Sequence, residues 1–64
     1  MIYQVNMQEF YVVVKKRTDM AILVNDGDQD FWLPRSQIAF REPNKNDETS
    51  VWVPEWLATK KGLI

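Results

Sequence analysis

Neither cysteine nor histidine occurs in this chain of 64 residues, and that double absence decides how so short a domain can hold together. Small domains bury a modest share of their surface and commonly lean on disulfides or a bound metal. Without Cys or His, a disulfide is impossible and a zinc site of the usual ligand types cannot be assembled. Stability must come from apolar burial. Hydrophobic residues form 45% of the chain, among them three Trp, three Phe and two Tyr, rings that can each bury roughly 150–250 Å². This supply, Tyr3 and Tyr11 included, suffices for one small domain over residues 1–64 and leaves no room for a second.

The apolar residues fall in short runs separated by turn chemistry. "EFYVVVKK" at 9–16 is rich in β-branched and aromatic residues and predicts a strand. "RTD" at 17–19 supplies a turn, and "MAILV" at 20–24 is a second run of strand length. A helix competes there, but "NDGD" at 25–28 holds an Asp-Gly pair that closes hairpins with positive φ at Gly27. The third strand is then "QDFWL" at 29–33, and Pro34, which has no amide donor, ends pairing on one side. "PRSQ" reads as a bend or a single helical turn before "IAFRE", and "EPNKNDETS" at 42–50 as a polar loop.

"VWVPEWLATKKGLI" closes the chain with a short strand at 51–53, Pro54 at the first helical position and a helix to about Lys61. Glu55 suits the positive end of that helix and Lys60 and Lys61 its negative end, with Gly62 as the stop and Leu63 folding back on Leu57 or Ala58. The fold class expected is mainly β: a small antiparallel barrel of the SH3 or OB type, with four or five strands and a short C-terminal α-helix. Alternation predicts Val13, Ile22, Val24, Phe31, Leu33 and Leu57 in the core, with Trp56 and Leu57 covering an open end. Of the three tryptophans, Trp52 is expected to be the most exposed, being opposite Val51 and Val53.

Several function classes lose support at this level. Eight basic against nine acidic residues give a net charge of −1, which argues against a polyanion binder held by long-range attraction. Asp26, Asp28 and Asp30 alternate as in a calcium loop. Counted from Asp26, however, Phe31 stands where a glycine is required and Gln37 where a bidentate glutamate is required. No metal or cofactor is expected. With no His or Cys, and with the carboxylates at turns, in the polar loop and at the helix start, no catalytic residues are assigned and the chain reads as a non-enzyme. "MIYQVNMQEF" has Glu9 early and no basic start, so no signal peptide is expected, and no apolar run approaches the ~20 residues of a membrane span. The expected location is cytoplasmic.

Two groups of side chains remain as candidate surfaces. Period two along "FWLP" sends Trp32 opposite Phe31 and Leu33, and the bend at Pro34 projects Arg35. Trp32, Arg35 and Trp52 are the candidate partner-binding residues, since a tryptophan beside an arginine makes a good anchor. The opposing reading buries Trp32 in a second small core beneath the helix. Lys15, Lys16 and Arg17 end the first strand and Arg41 follows the proline corner. With Tyr11 or Trp32 they would suit single-stranded nucleic acid, cations for phosphates and rings for bases.

The pattern of "AILV", "FWLPRSQI" and "VPEWLATKKGLI" resembles a group of short uncharacterised proteins of bacteriophages and bacterial mobile elements. The resemblance covers residues 20–40 and 51–64, with the N-terminal third and the loop at 42–50 outside it. It implies a phage or mobile-element setting, in which small stand-alone domains bind and modify a host protein or assist nucleic-acid metabolism. The expected function is a non-enzymatic binding module with a host or phage protein as partner. A single-stranded nucleic-acid binder is the alternative, and a homo-oligomeric structural protein assembled through edge strands is a further one.

Overall fold

The computed structural model describes residues 6–64, so Tyr3 lies outside the described residues. Five antiparallel strands form one sheet, followed by a helix: β1 (Met7–Arg17), β2 (Ala21–Asn25), β3 (Asp30–Pro34), β4 (Ala39–Phe40), β5 (Glu48–Pro54) and α1 (Glu55–Lys61). A single 3-10 turn at Arg35–Gln37 follows Pro34. The order across the sheet is β3-β2-β1-β5-β4. The fold is mainly β as expected, but the ladder runs from β3 to β4 as an open sheet and no pairing of those two strands closes it into a barrel.

The long first strand belongs to both halves. Met7 to Val13 pair with β5, and Val13 to Arg17 pair with β2. Between Val14↔Val24 and Lys16↔Leu23 the register slips by one, leaving Lys15 as the extra residue of a β-bulge. Before the bulge, Val12 and Val14 point to the core; after it, Arg17 pairs with the buried Ile22, so the inward parity has shifted from even to odd residues. A single strand can therefore keep two different neighbours in register.

The core gathers Val12, Val14, Ile22, Val24, Phe31, Leu33, Val51 and Val53 from the sheet, with Leu57 and Ala58 from α1 laid over it. Phe10, Ile38, Phe40 and Leu63 close its margins. Five of the six expected core residues are buried. Val13 is the exception, at 38% exposed, because "VVV" carries no alternation of its own. Pairing with β5 sets Val12 against the buried Thr49 and turns Val13 outward opposite Glu48.

The strand expected at 51–53 is longer, because β5 starts at Glu48 and takes in the end of the polar loop. Thr49 is buried there without penalty, since its hydroxyl donates to the Arg41 carbonyl at 2.8 Å. Asp47, just before β5, holds φ at 62°, a left-handed conformation that Asp tolerates better than most residues.

Both glycines stand where the backbone needs them. Gly27 has φ 104° at the tip of the β2–β3 hairpin. Gly62 has φ 81°, and its N–H donates to Thr59 while the Leu63 N–H donates to Ala58, the paired bonds of a Schellman cap. Leu63 then packs back on the core, as the sequence predicts. Pro54 ends β5 and serves as the N-cap of α1 instead of its first helical residue.

Parity in β1 is directly testable. Val12→Ala, at the inward neighbour of Val13 on the same strand, should cost about 1.5–3 kcal/mol in urea unfolding, a large share of a small domain's stability. Val13→Ala should shift the midpoint little, and equal losses would refute the register.

The hairpin tip yields a pH prediction. The Asp26 carboxylate accepts the Gln29 and Asp28 amides at 2.9 and 2.8 Å, and these bonds hold it below its ordinary value of 3.8. Asp30 is likewise lowered, by the Asn25 amide first and Lys15 second. Both groups are depressed in the fold, so their stabilisation is complete above the unfolded value and is lost as pH falls through the folded one. Melting temperature should fall as pH drops below the ordinary carboxylate value of 3.8, and Asp26→Asn, which keeps the acceptor oxygen, should flatten that slope. An unchanged slope would remove Asp26 as its source.

Candidate functional site

Alternation along β3 places Phe31 and Leu33 inside and Trp32 outside, where it stays 44% exposed. The helix brings a second ring to it. α1 has only seven residues and spends its inward face on Leu57 and Ala58, so Trp56, one position earlier and ~100° around the axis, turns to solvent at 53% exposure. Trp56 is therefore not the core residue that the sequence suggests. Trp52, expected to be the most exposed of the three, is instead half-buried on the outer face between Glu9 and Ala39 of its neighbouring strands.

Trp32 and Trp56 line one open groove of about 380 Å³, together with Ala21, Pro34, Leu57, Lys60 and Lys61. Lys60 stands four residues after Trp56, one turn along the same helix face. No carboxylate lines the groove, and among the described residues neither lysine forms an ion pair. The site is thus two half-exposed indoles on an apolar floor with two free ammonium groups at its rim. A smaller hollow of about 200 Å³, lined by Tyr11, Val13, Asn25, Asp26, Gly27 and Glu48 among others, sits by the hairpin tip and is acidic.

The other candidate residues lie elsewhere and are mostly engaged within the fold. Arg35 is exposed, but its guanidinium donates to the Thr18 carbonyl at 3.1 Å and sits 5.7 Å from the Phe40 ring centroid. Its backbone N–H bonds to the Met20 carbonyl at 2.9 Å, which ties the proline corner to the β1–β2 turn. Arg17 lies 6.0 Å from the same ring and pairs with Glu42 at 3.0 Å. Lys15 pairs with Asp30 at 3.2 Å, and Arg41 lies 5.8 Å from the Trp52 ring. Only Lys16 of that basic set lacks a partner among the described residues. The structure therefore keeps Trp32 at a surface site, separates it from Arg35, and adds Trp56, Lys60 and Lys61. Those three escaped sequence reasoning because each has a sufficient helical role: a core aromatic and two dipole-complementing lysines.

Among the described residues there is no cluster of three or more acidic side chains placed to hold a metal ion. No helix is long and apolar enough to cross a membrane.

If Trp56 is a surface ring, Trp56→Ala should shift the melting temperature by no more than about 3 °C, far less than the ~3–5 kcal/mol of a buried aromatic would produce. A collapse of stability would return the ring to the core.

No protein-family model, curated protein or solved structure matches this chain, so the groove is defined by its own residues alone.

Proposed function

We propose that this chain is a non-catalytic binding module that takes a segment of a protein partner into the Trp32–Trp56 groove. One observation carries the reading: two half-exposed tryptophans converge on a single groove in a domain whose other large apolar side chains are mostly committed to the core. Paired surface aromatics supply large apolar area at small entropic cost, and they recur as binding anchors. The lysines at the rim then select for charge. The setting the sequence resemblance implies, a phage or mobile element acting in a bacterial cytoplasm, suits a module that engages a host or phage protein.

A second reading keeps the site and changes the ligand. Indoles beside lysines also stack bases and attract phosphates, so single-stranded nucleic acid fits the same groove. Against it stand the net charge of −1 and the engagement of Lys15, Arg17, Arg35 and Arg41 within the fold, which occupies four of the eight basic side chains.

Affinity capture from a bacterial lysate separates the two. The immobilised chain is compared with its Trp32→Ala, Trp56→Ala double variant, with and without nuclease. The expected result is a protein retained by the native chain, lost by the variant and indifferent to nuclease. Retention that disappears with nuclease would transfer the site to nucleic acid, and equal retention by the variant would move it away from the groove.

A further inference from the structure

The hydrogen-bond phase of the β2–β3 hairpin leaves one tryptophan's backbone unpaired beside its own side-chain site. The Asp26 N–H donates to the Gln29 carbonyl, and the Arg35 N–H donates to the Met20 carbonyl. These are the two ends of a ladder whose register pairs Ala21 with Pro34 and Asn25 with Asp30. Bonded and non-bonded pairs alternate along antiparallel strands. Phe31 with Val24 and Leu33 with Ile22 are accordingly the bonded pairs between those ends. Asp30, Trp32 and Pro34 turn their main-chain groups the other way. β3 is the last strand of the sheet, so those groups face an open edge among the described residues. Pro34 has no N–H to offer, which leaves Trp32 as the residue nearest the groove with both a free donor and a free acceptor.

We propose that the groove binds an extended acidic peptide as a sixth strand on β3, its main chain bonded to the N–H and C=O of Trp32 and its carboxylates directed to Lys60 and Lys61. The proposal rests on the protein-binding reading and specifies the partner's chemistry. Strand addition takes affinity from main-chain bonds and specificity from pockets for alternate side chains. Here the pocket for an apolar side chain lies between the Trp32 and Trp56 rings, over Pro34 and Leu57. Acidity follows from charge complementarity, because the groove carries two ammonium groups and no carboxylate. The one acid on the β3 edge, Asp30, is already matched by Lys15 at 3.2 Å and by the Asn25 amide at 2.8 Å, so it offers little repulsion.

The same charges argue against a second copy in this place. A two-fold contact would bring the patch against itself, lysines facing lysines with no acid to receive them. A nucleic-acid strand would leave the Trp32 main-chain groups unused. An acidic peptide is the occupant that uses the rings, the lysines and the free edge together.

The test combines selection with exchange. The full chain is panned against displayed random peptides about eight residues long, a length that covers a typical strand, with the Trp32→Ala, Trp56→Ala variant as counter-selection. The enriched peptides should carry a central apolar residue flanked by Asp or Glu. At saturation such a peptide should slow hydrogen exchange of the Trp32 amide by about tenfold or more. Replacing Lys60 and Lys61 together by Gln should weaken binding about three- to tenfold at low salt and less at high salt. Basic or neutral selected peptides would overturn the charge assignment. Binding that shifts both indole signals but leaves Trp32 amide exchange unchanged would overturn strand addition while preserving the protein-binding reading. No enrichment over the counter-selected variant would remove both.

Discussion

Everything in this fold hangs on β1, a single strand that must satisfy two partners at once. Its first half is paired with β5 and its second with β2, and the core of each half lies on the same face of the sheet. A straight strand of period two would carry Val12 and Val14 inward and then aim Lys16 at the core as well. The bulge at Lys15 removes that conflict by resetting parity, so that Lys16 pairs with Leu23 on the outer face and Arg17 stands opposite Ile22. Arg17 reaches the margin of the core, where its stem can lie along apolar surface while its guanidinium meets the Phe40 ring and Glu42. The bulge also frees Lys15 to meet Asp30 of β3. One inserted residue therefore decides how the cations at the end of β1 are used inside the molecule.

The groove follows from that arrangement and from the shortness of α1. With β1 central, β3 is pushed to one end of the ladder, and Pro34 stops it there before the 3-10 turn. Pro54 turns β5 directly into α1, and the cap at Gly62 ends the helix after seven residues. Such a helix can bury only a narrow stripe, which Leu57 and Ala58 fill. Trp56 and Lys60 must then lie outside that stripe, and across from them stands the outward ring of Trp32. Two exposed indoles at one place follow from two abrupt strand endings, at Pro34, two residues after Trp32, and at Pro54, two residues before Trp56.

The sequence discloses local geometry well and long-range geometry poorly. Gly27, Pro34 and Gly62 mark their turns because each has a backbone property no other residue shares, and all three stand where expected. Ile22, Val24, Phe31 and Leu33 are legible as core because they alternate with other residues in well-bounded strands. Val13 is not, since three consecutive valines fit either parity and only the pairing with β5 chooses between them. The bulge leaves no sign within "KKR", where every residue would serve equally at a strand end. Thr49 hides in a polar stretch and becomes core only because Arg41 presents a carbonyl to its hydroxyl. The joining of Trp32 with Trp56 is a tertiary event between residues 24 apart in sequence (56 − 32), and no periodicity connects them.

Charge placement carries the last distinction between scaffold and site. Lys15, Arg17, Arg35 and Arg41 each meet a carboxylate, a carbonyl or an aromatic ring of the same chain, so their contribution is to hold edges and corners. Lys60 and Lys61 share none of these contacts among the described residues and face apolar lining instead. Their charges also favour the carbonyl end of α1, yet that helical role leaves the ammonium groups in solvent and free to take a second partner. At the groove, two lysines without an ion pair among the described residues stand together with two exposed indoles and an open strand edge. These three features coincide at one end of β3, and the proline corner next to it, with Arg35 bonded to the Thr18 carbonyl and set against the Phe40 ring, ties that end to the β1–β2 turn.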